Sequence, residues 1–507
     1  MRYEFAHDHE LRLTQVLNPQ GLTWNYAYDL AGQLISETDF DNRTLNYTRD
    51  EAGRLTTRTN ALGQVTRYER DELDRIVSKD AADSLTTFAY DLTGQLAEAV
   101  NADATVTWLR DQYGRLKSET VNGRTLSYTY DELGRRTGRT TPSGAVSTWT
   151  YDAAGRRTSL TTSGRTLTFE HNAAGQEVTR RLGEHVTIAS QFDTMGRLTT
   201  QQVTGAGRSI QRREYTYRAD GHLVGLTDQL SGTKTFDADQ AGRVTAVHAA
   251  NWTERYAYDA AGNQTEASWP DSHPGQEAVG TRSYTGTTIT RAGNVRYEHD
   301  ALGRVTLRQK PRLSRKPDTW RYEWDAEDRL TGLLTPHGDR WRYTYDPLGR
   351  RIAKIHLRDE GSDVTELIGF TWDGVDLCEQ TTTAANLWPV TLTWDYEGRL
   401  PLAQTEQILA SGAPDRESAS RFFTVIADLA GAPRALIDQQ GEVAWHTRST
   451  LWGTTTWPVD SAAYTPLRFS GQYHDPETEL HYNYFRHYDP QTARYSDPGP
   501  TRPGTCP

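Results

Sequence analysis

Tyr130-Asp131-Glu132-Leu133-Gly134-Arg135 and Tyr151-Asp152-Ala153-Ala154-Gly155-Arg156 are two copies of one short unit. The same unit returns as Tyr28-Asp29 with Gly32, Tyr90-Asp91 with Gly94, Tyr258-Asp259 with Gly262 and Tyr345-Asp346 with Gly349. Weaker copies fill the gaps, among them Arg49-Asp50 with Gly53, Arg70-Asp71 with Asp74, and Trp324-Asp325 with Asp328. From Asp29 to Asp193 the acidic or amide position recurs every 20 or 21 residues without a break. A fixed period of this length is the signature of a repeat architecture.

Each residue type in the unit has a physical task. The aromatic ends a strand and is expected to pack on its counterpart in the next repeat. Asp or Asn starts a turn, because its side chain accepts a backbone N–H two residues on. Gly, three residues later, supplies a positive φ; Asp74 and Asp328 stand in that place in two copies and tolerate it better than most residues do. A second turn falls half a period away, as in Asn122-Gly123 and Ser163-Gly164. Between turns the chain alternates, as in Ser127-Tyr128-Thr129-Tyr130, the pattern of an antiparallel strand with two unlike faces. No stretch keeps a helical period. The fold class is therefore all-β, an array of about 17 hairpins laid side by side into a curved, spiralling sheet that forms a partial hollow shell. A WD-type propeller would need units of about 40 residues.

Composition narrows the function. Acidic and basic residues are interspersed, with a net charge of −11, so there is no basic stripe for a phosphate backbone and nucleic acid is not an expected partner. No apolar run reaches the roughly 18 residues of a membrane span, and the first residues lack the blocks of a signal peptide. Cys378 and Cys506 cannot build a disulfide framework or a closed zinc site by themselves; Cys378 reads as a half-buried strand residue. His7-Asp8-His9 lacks ligand spacing, and no cofactor or metal is implied.

The spacing divides the chain into a repeat region at 1–409, looser after 266, a loop at 410–420, and a distinct C-terminal region at 421–507 with an unstructured tail at 498–507. The stretches around Asp271 to Glu277 and Lys310 to Pro317 read as exposed loops.

On these residues the chain resembles the Rhs/YD-repeat proteins, a family that includes bacterial polymorphic toxins and the C component of insecticidal Tc complexes. The end of the chain carries the more specific likeness. Leu467-Arg468-Phe469-Ser470-Gly471-Gln472-Tyr473 followed by Asp475-Pro476-Glu477-Thr478-Glu479-Leu480-His481-Tyr482 and Arg486-His487-Tyr488-Asp489-Pro490 is similar to the core signature of that family. The resemblance implies a continuous β-sheet spiralling into a shell, closed by the core, around a toxin domain that follows the core. It implies a secreted or cell-associated bacterial effector, cytoplasmic before export, with the toxin domain or further shell segments as partners, and an immunity protein or secretion-system adaptor as indirect ones. It also implies self-cleavage by aspartates acting as an acid protease, one carboxylate activating water while the other protonates the carbonyl.

Carried over by position, the candidate catalytic residues are Asp489 and Asp497, with Arg486 as a charge partner and Asp475 as a weaker third acid. Here the sequence departs from the family: Ala493-Arg494-Tyr495-Ser496 runs directly into Asp497-Pro498-Gly499-Pro500, two residues short and without the usual apolar pair. Two residues of extended chain span about 6–7 Å, more than a catalytic pair tolerates, so the two Asp-Pro steps also read as turn formers.

Three functions follow as expectations: an encapsulation scaffold of an Rhs-type toxin, truncated at both ends and lacking the toxin domain; a cell-surface or carbohydrate-binding array, with exposed Trp and Tyr stacking on sugars; and an autoprotease. Some 34 strands at about 4.8 Å make a ribbon roughly 160 Å long, one circuit of a cylinder about 50 Å across, so an open, partial spiral is expected.

Overall fold

A computed structural model of the chain describes residues 2–82, 84–358, 363–385, 387–408 and 420–498. Among these, 41 strands from Glu4–His7 to Val443–His446 form one sheet. Each strand pairs antiparallel with the next in sequence. The ribbon does not stop near 409, since Ser420–Ala427, Pro433–Ile437 and Val443–His446 continue it. The described helical content is one 3-10 turn at Gln276–Ala278. Most of the 410–420 loop and all of the tail from Gly499 lie outside the described residues, as does Cys506.

The repeat unit holds itself together through a lock that spans two copies. Asp131 accepts the Arg135 N–H at 2.9 Å on one carboxylate oxygen and Arg135 Nε at 2.7 Å on the other. Gly134 closes the turn at φ 79°, and Asp74 and Asp328 adopt the same left-handed conformation at 68° and 62°. The Arg135 guanidinium then reaches into the next repeat, donating to the Asp152 carbonyl at 3.2 Å and lying over the Tyr151 ring at 4.9 Å. Each YD tyrosine hydroxyl reaches back about one hairpin; Tyr130 donates to the Leu116 carbonyl at 2.8 Å. This corrects the expectation that successive YD aromatics stack on each other. The arginine of one repeat lies over the tyrosine of the next, a cation–π contact repeated at Arg75 on Tyr90, Arg115 on Tyr130 and Arg243 on Tyr258.

The ribbon returns to itself. Gln20 bonds Asp259 at 3.0 Å, Asn101 bonds the Tyr345 carbonyl at 3.0 Å, and Ser163 bonds Thr405 at 3.0 Å, with separations of 239, 244 and 242 residues. The Asn101 turn follows strand Leu96–Val100, and Tyr345 ends a strand 23 places further on. Twenty-three strands at about 4.8 Å give a circuit of roughly 110 Å. The 41 strands thus make nearly two circuits, not the single wider one expected. The difference has two causes: the ribbon has more strands than the repeat count gave, and it bends more tightly. The two circuits lie rim to rim and bury a seam, in which Leu160 and Leu167 pack with Leu402 and Phe422. At the same seam Arg139 donates to Asp395 and to the Trp394 carbonyl, both at 2.8 Å. Cys378 sits in this seam beside Leu126 and Tyr128, fully buried where a half-buried position was expected; burial pushes its thiol pKa up.

The chain after residue 450 decides which face is concave. Leu451 N–H donates to Glu254 at 2.8 Å, while Arg421, fourteen strands later, donates to the Ala462 carbonyl at 2.6 Å. About 70 Å of ribbon can meet a segment of this size on one face only by wrapping around it. That face points inward, and it carries Tyr256, Trp320, Tyr343, Phe370 and Trp394.

Candidate functional site: the buried C-terminal plug

The plug is a four-stranded sheet of Tyr473–Asp475, Leu480–Asn483, Arg486–Asp489 and Arg494–Tyr495. Its aromatics enter the wall's own core, with Tyr473 edge-on to Phe370 at 5.2 Å and Tyr482 against Trp372 at 6.0 Å. Between its first two strands the acids Asp475, Glu477 and Glu479 alternate along the chain and meet a row of cations on the inner wall. Asp475 takes Arg351 through two bonds of 2.7 and 2.9 Å and Lys354 at 3.1 Å. Glu477 takes Lys354 at 2.9 Å and the Tyr343 hydroxyl at 3.0 Å. Glu479 pairs with Lys310 and, at 3.3 Å, with Arg308.

Burial pushes the Asp475 carboxyl up, but Arg351 and then Lys354 outweigh it and hold the group at about 2. Glu477, its side chain also largely removed from solvent and beside Asp475, is raised by that burial. Asp475, the weaker third acid of the sequence reading, is thus the anchor of an ion-pair network. Sequence reasoning missed its partners. The signal lay in Arg351 and Lys354 on one strand and in Arg308 on another, charges on strands that the hairpin pattern alone read as wall; Lys310, read as the start of an exposed loop, is instead the buried last residue of the strand Val305–Lys310, held there by Glu479.

The three plug histidines are packed and neutral. His474 stands edge-on to His481 at 5.6 Å, His481 shares a 2.9 Å hydrogen bond with Gln472, and His487 stands edge-on to Trp324 at 5.7 Å. Burial holds His474 and His487 at about 3 and His481 well below the ordinary range.

Both candidate aspartates are 3% exposed. Asp489 accepts the Tyr297 hydroxyl of the wall at 3.0 Å and the Gln491 N–H at 2.8 Å. Asp497 accepts the His487 N–H at 3.1 Å, two residues before Asp489 on the same strand. Arg486 lies over the Tyr495 ring at 3.6 Å, so its guanidinium is engaged with an aromatic face. The described chain ends against the wall, where Val305 N–H donates to the Ser496 carbonyl at 2.9 Å. No cluster of metal-ligating side chains occurs among the described residues.

A two-circuit β-ribbon closed on a buried plug is a shell-wall architecture built from YD hairpins. Comparison with known proteins agrees. The Teneurin YD-shell family matches residues 1–163 and the RHS Repeat family residues 324–362. The chain is 30% identical over 320 residues to the double-stranded DNA deaminase toxin A of Burkholderia cenocepacia, covering 59% of this chain and 21% of that protein. It is 29% identical over 346 residues to the toxin protein Tse5 of Pseudomonas aeruginosa, covering 58% and 25%. The crystal structure of TcdB2-TccC3-TEV superposes on 98% of this chain and 28% of its own with a TM-score of 0.80 at 16% identity, a likeness of fold. The chain carries the YD-shell and RHS repeats that these families define over the matched segments, and it spans about a fifth to a quarter of the length of these curated relatives.

Proposed function

We propose that this chain is a wall section and plug of an Rhs-type toxin shell, which holds the polypeptide that follows the plug inside the bore, in a secreted or cell-associated bacterial effector. The observation that carries this reading is the Val305–Ser496 hydrogen bond beside the 3% exposed Asp497: the chain runs buried against the wall up to the residue before its exposed last described position, Pro498. Relatives named for unlike activities, a DNA deaminase and a probable deoxyribonuclease of Dickeya dadantii, share similarity with this chain, which supports a common scaffold role. A circuit of roughly 110 Å is about 35 Å across, and side chains on the inner face leave roughly 25 Å. A folded domain of 100 residues, with a radius of gyration near 13 Å, does not pass into that space, so the held polypeptide is unfolded or only locally folded.

The test is protease protection. An unstructured peptide of about 60 residues rich in lysine, appended after Pro507, is expected to resist trypsin while the same peptide free in solution is cut at once. Equal cleavage rates refute the reading.

A second reading, self-cleavage with Asp489 and Asp497 as the acids, is supported by the burial of both carboxylates, Asp489 on the third strand of the plug and Asp497 two residues past its last strand, bonded back to His487 on that third strand. The intact mass of the purified chain tests it. Loss of the residues after the plug in the wild type, abolished by Asp489→Asn, supports it; an uncut mass refutes it.

A further inference from the structure

Where the ribbon's second circuit ends, a cavity of about 70 Å³ remains between the last strands and the inner face of the first circuit. Its floor is the cross-strand row Tyr215, Leu226 and Lys234. This row lies on the inward face, because Lys234 stands opposite Ala249, and two residues along that strand Val247 stands opposite Glu254, which accepts the Leu451 N–H of the enclosed chain after residue 450.

The charges around the cavity do not balance. Arg213 is paired with Asp228 at 3.1 Å, and Arg434 with Asp428 at 2.6 Å. Those two pairs are internally satisfied: Asp228 also takes Gln211 at 2.9 Å, and Asp428 takes the N–H groups of Ala430 and Ala432 at 2.9 and 3.0 Å. Lys234 and Arg448 remain, both lining the cavity, and among the described residues neither has a carboxylate partner. The Lys234 ammonium lies 5.1 Å from the Trp252 ring, with Glu254 and Asp228 attracting it from beyond ion-pair distance. His446 borders the same space. The nearby Glu254 is occupied by the Leu451 N–H and the Tyr256 hydroxyl at 2.7 Å, and burial raises its pKa. Lys234 is half-buried and Arg448 exposed, and a partly desolvated ammonium facing an unpaired guanidinium is stabilised when an anion joins the two.

We propose that this cavity is an oxyanion site, in which carboxylate or phosphate oxygens bridge Lys234 and Arg448. The space suits one small oxyanion or the waters that replace it. The fork of Arg448 and the point charge of Lys234 are the two cation types that bind such groups. Two sources share this chemistry: free phosphate, and an acidic side chain of a polypeptide lying along the inner wall. The inference does not depend on encapsulation, since a small-ion site stands whether or not the bore holds a chain.

Equilibrium dialysis of the full chain against inorganic phosphate, and separately against N-acetylglutamate, tests the proposal. Saturable binding of at least one probe is expected, weakened about tenfold or more in Lys234→Met and in Arg448→Gln. Lys316→Met, in a distant loop, is expected to bind as the wild type does. Binding of phosphate alone assigns the free ion as the source, and binding of N-acetylglutamate assigns a peptide carboxylate; both support the site. Absence of saturable binding of either probe, or equal binding by the wild type and by both variants with unchanged circular dichroism, overturns it.

Discussion

Arg351 of the wall and Asp475 of the plug meet through two hydrogen bonds of 2.7 and 2.9 Å, with both side chains removed from solvent. One of these residues belongs to a ribbon strand and the other to a sheet more than a hundred residues later, so this pair reports directly on whether the plug is seated.

Breaking one partner leaves a buried charge without compensation, a change that costs about 3–5 kcal/mol. Asp475→Asn is therefore expected to lower the urea midpoint and to open the chain after residue 450 to proteolysis. Replacing both partners, Arg351→Leu with Asp475→Leu, is expected to recover much of the loss, since hydrophobic isosteres of a buried pair are often neutral. If the double variant is as unstable as the single one, the pair has a role beyond its own electrostatics.

Acid should loosen the plug in two stages. His474 and His487 hold pKa values of about 3 in the folded chain, below the unfolded value near 6.5. The unfolded state therefore binds more protons between those limits, and stability falls as pH drops from about 6.5 toward 3. Asp475, at about 2 against about 3.9 unfolded, contributes stability that is full above pH 4 and is lost as pH falls toward 2. Among the described residues His487 has no hydrogen-bond partner on either ring nitrogen, and it sits against Trp324 and Tyr482. His487→Phe is expected to flatten the first stage in urea titrations at pH 7, 5.5 and 4.5; an unchanged slope would remove this histidine from the explanation.

The lock between repeats separates into a hydroxyl and a ring. Tyr130→Phe removes the bond to the Leu116 carbonyl and is expected to cost about 1 kcal/mol. Tyr130→Ala also removes the ring beneath Arg115, and is expected to cost clearly more by denaturant titration. Equal costs for the two variants would mean that the ring contributes nothing.

The hairpins were legible in the sequence because their determinants are local. Asp131, Gly134 and Arg135 lie within five residues of one another, and the 20 to 21 residue spacing repeats them. The all-β class and the continuous ribbon follow from that spacing. The number of circuits was not legible, because it depends on curvature, which accumulates from small twists at every strand and shows only in contacts such as Ser163 with Thr405. The plug network was half legible: Asp475 stood out in a motif, but Arg351 and Lys354 looked like ordinary strand charges until the fold brought them face to face. Arg486 was placed as a charge partner of the aspartates by position in a motif, and its guanidinium instead covers Tyr495.

The ribbon comes back over itself after about 240 residues, and a cross-link measures this directly. In a chain carrying Ser163→Cys, Thr405→Cys and Cys506→Ser, mild oxidation followed by peptide mass spectrometry should recover a disulfide joining positions 163 and 405, whose hydroxyls lie 3.0 Å apart. A control pair, Ser143→Cys with Thr405→Cys, should remain reduced. Absence of the 163–405 disulfide, or its formation no faster than that of the control pair, would contradict the two-circuit spiral.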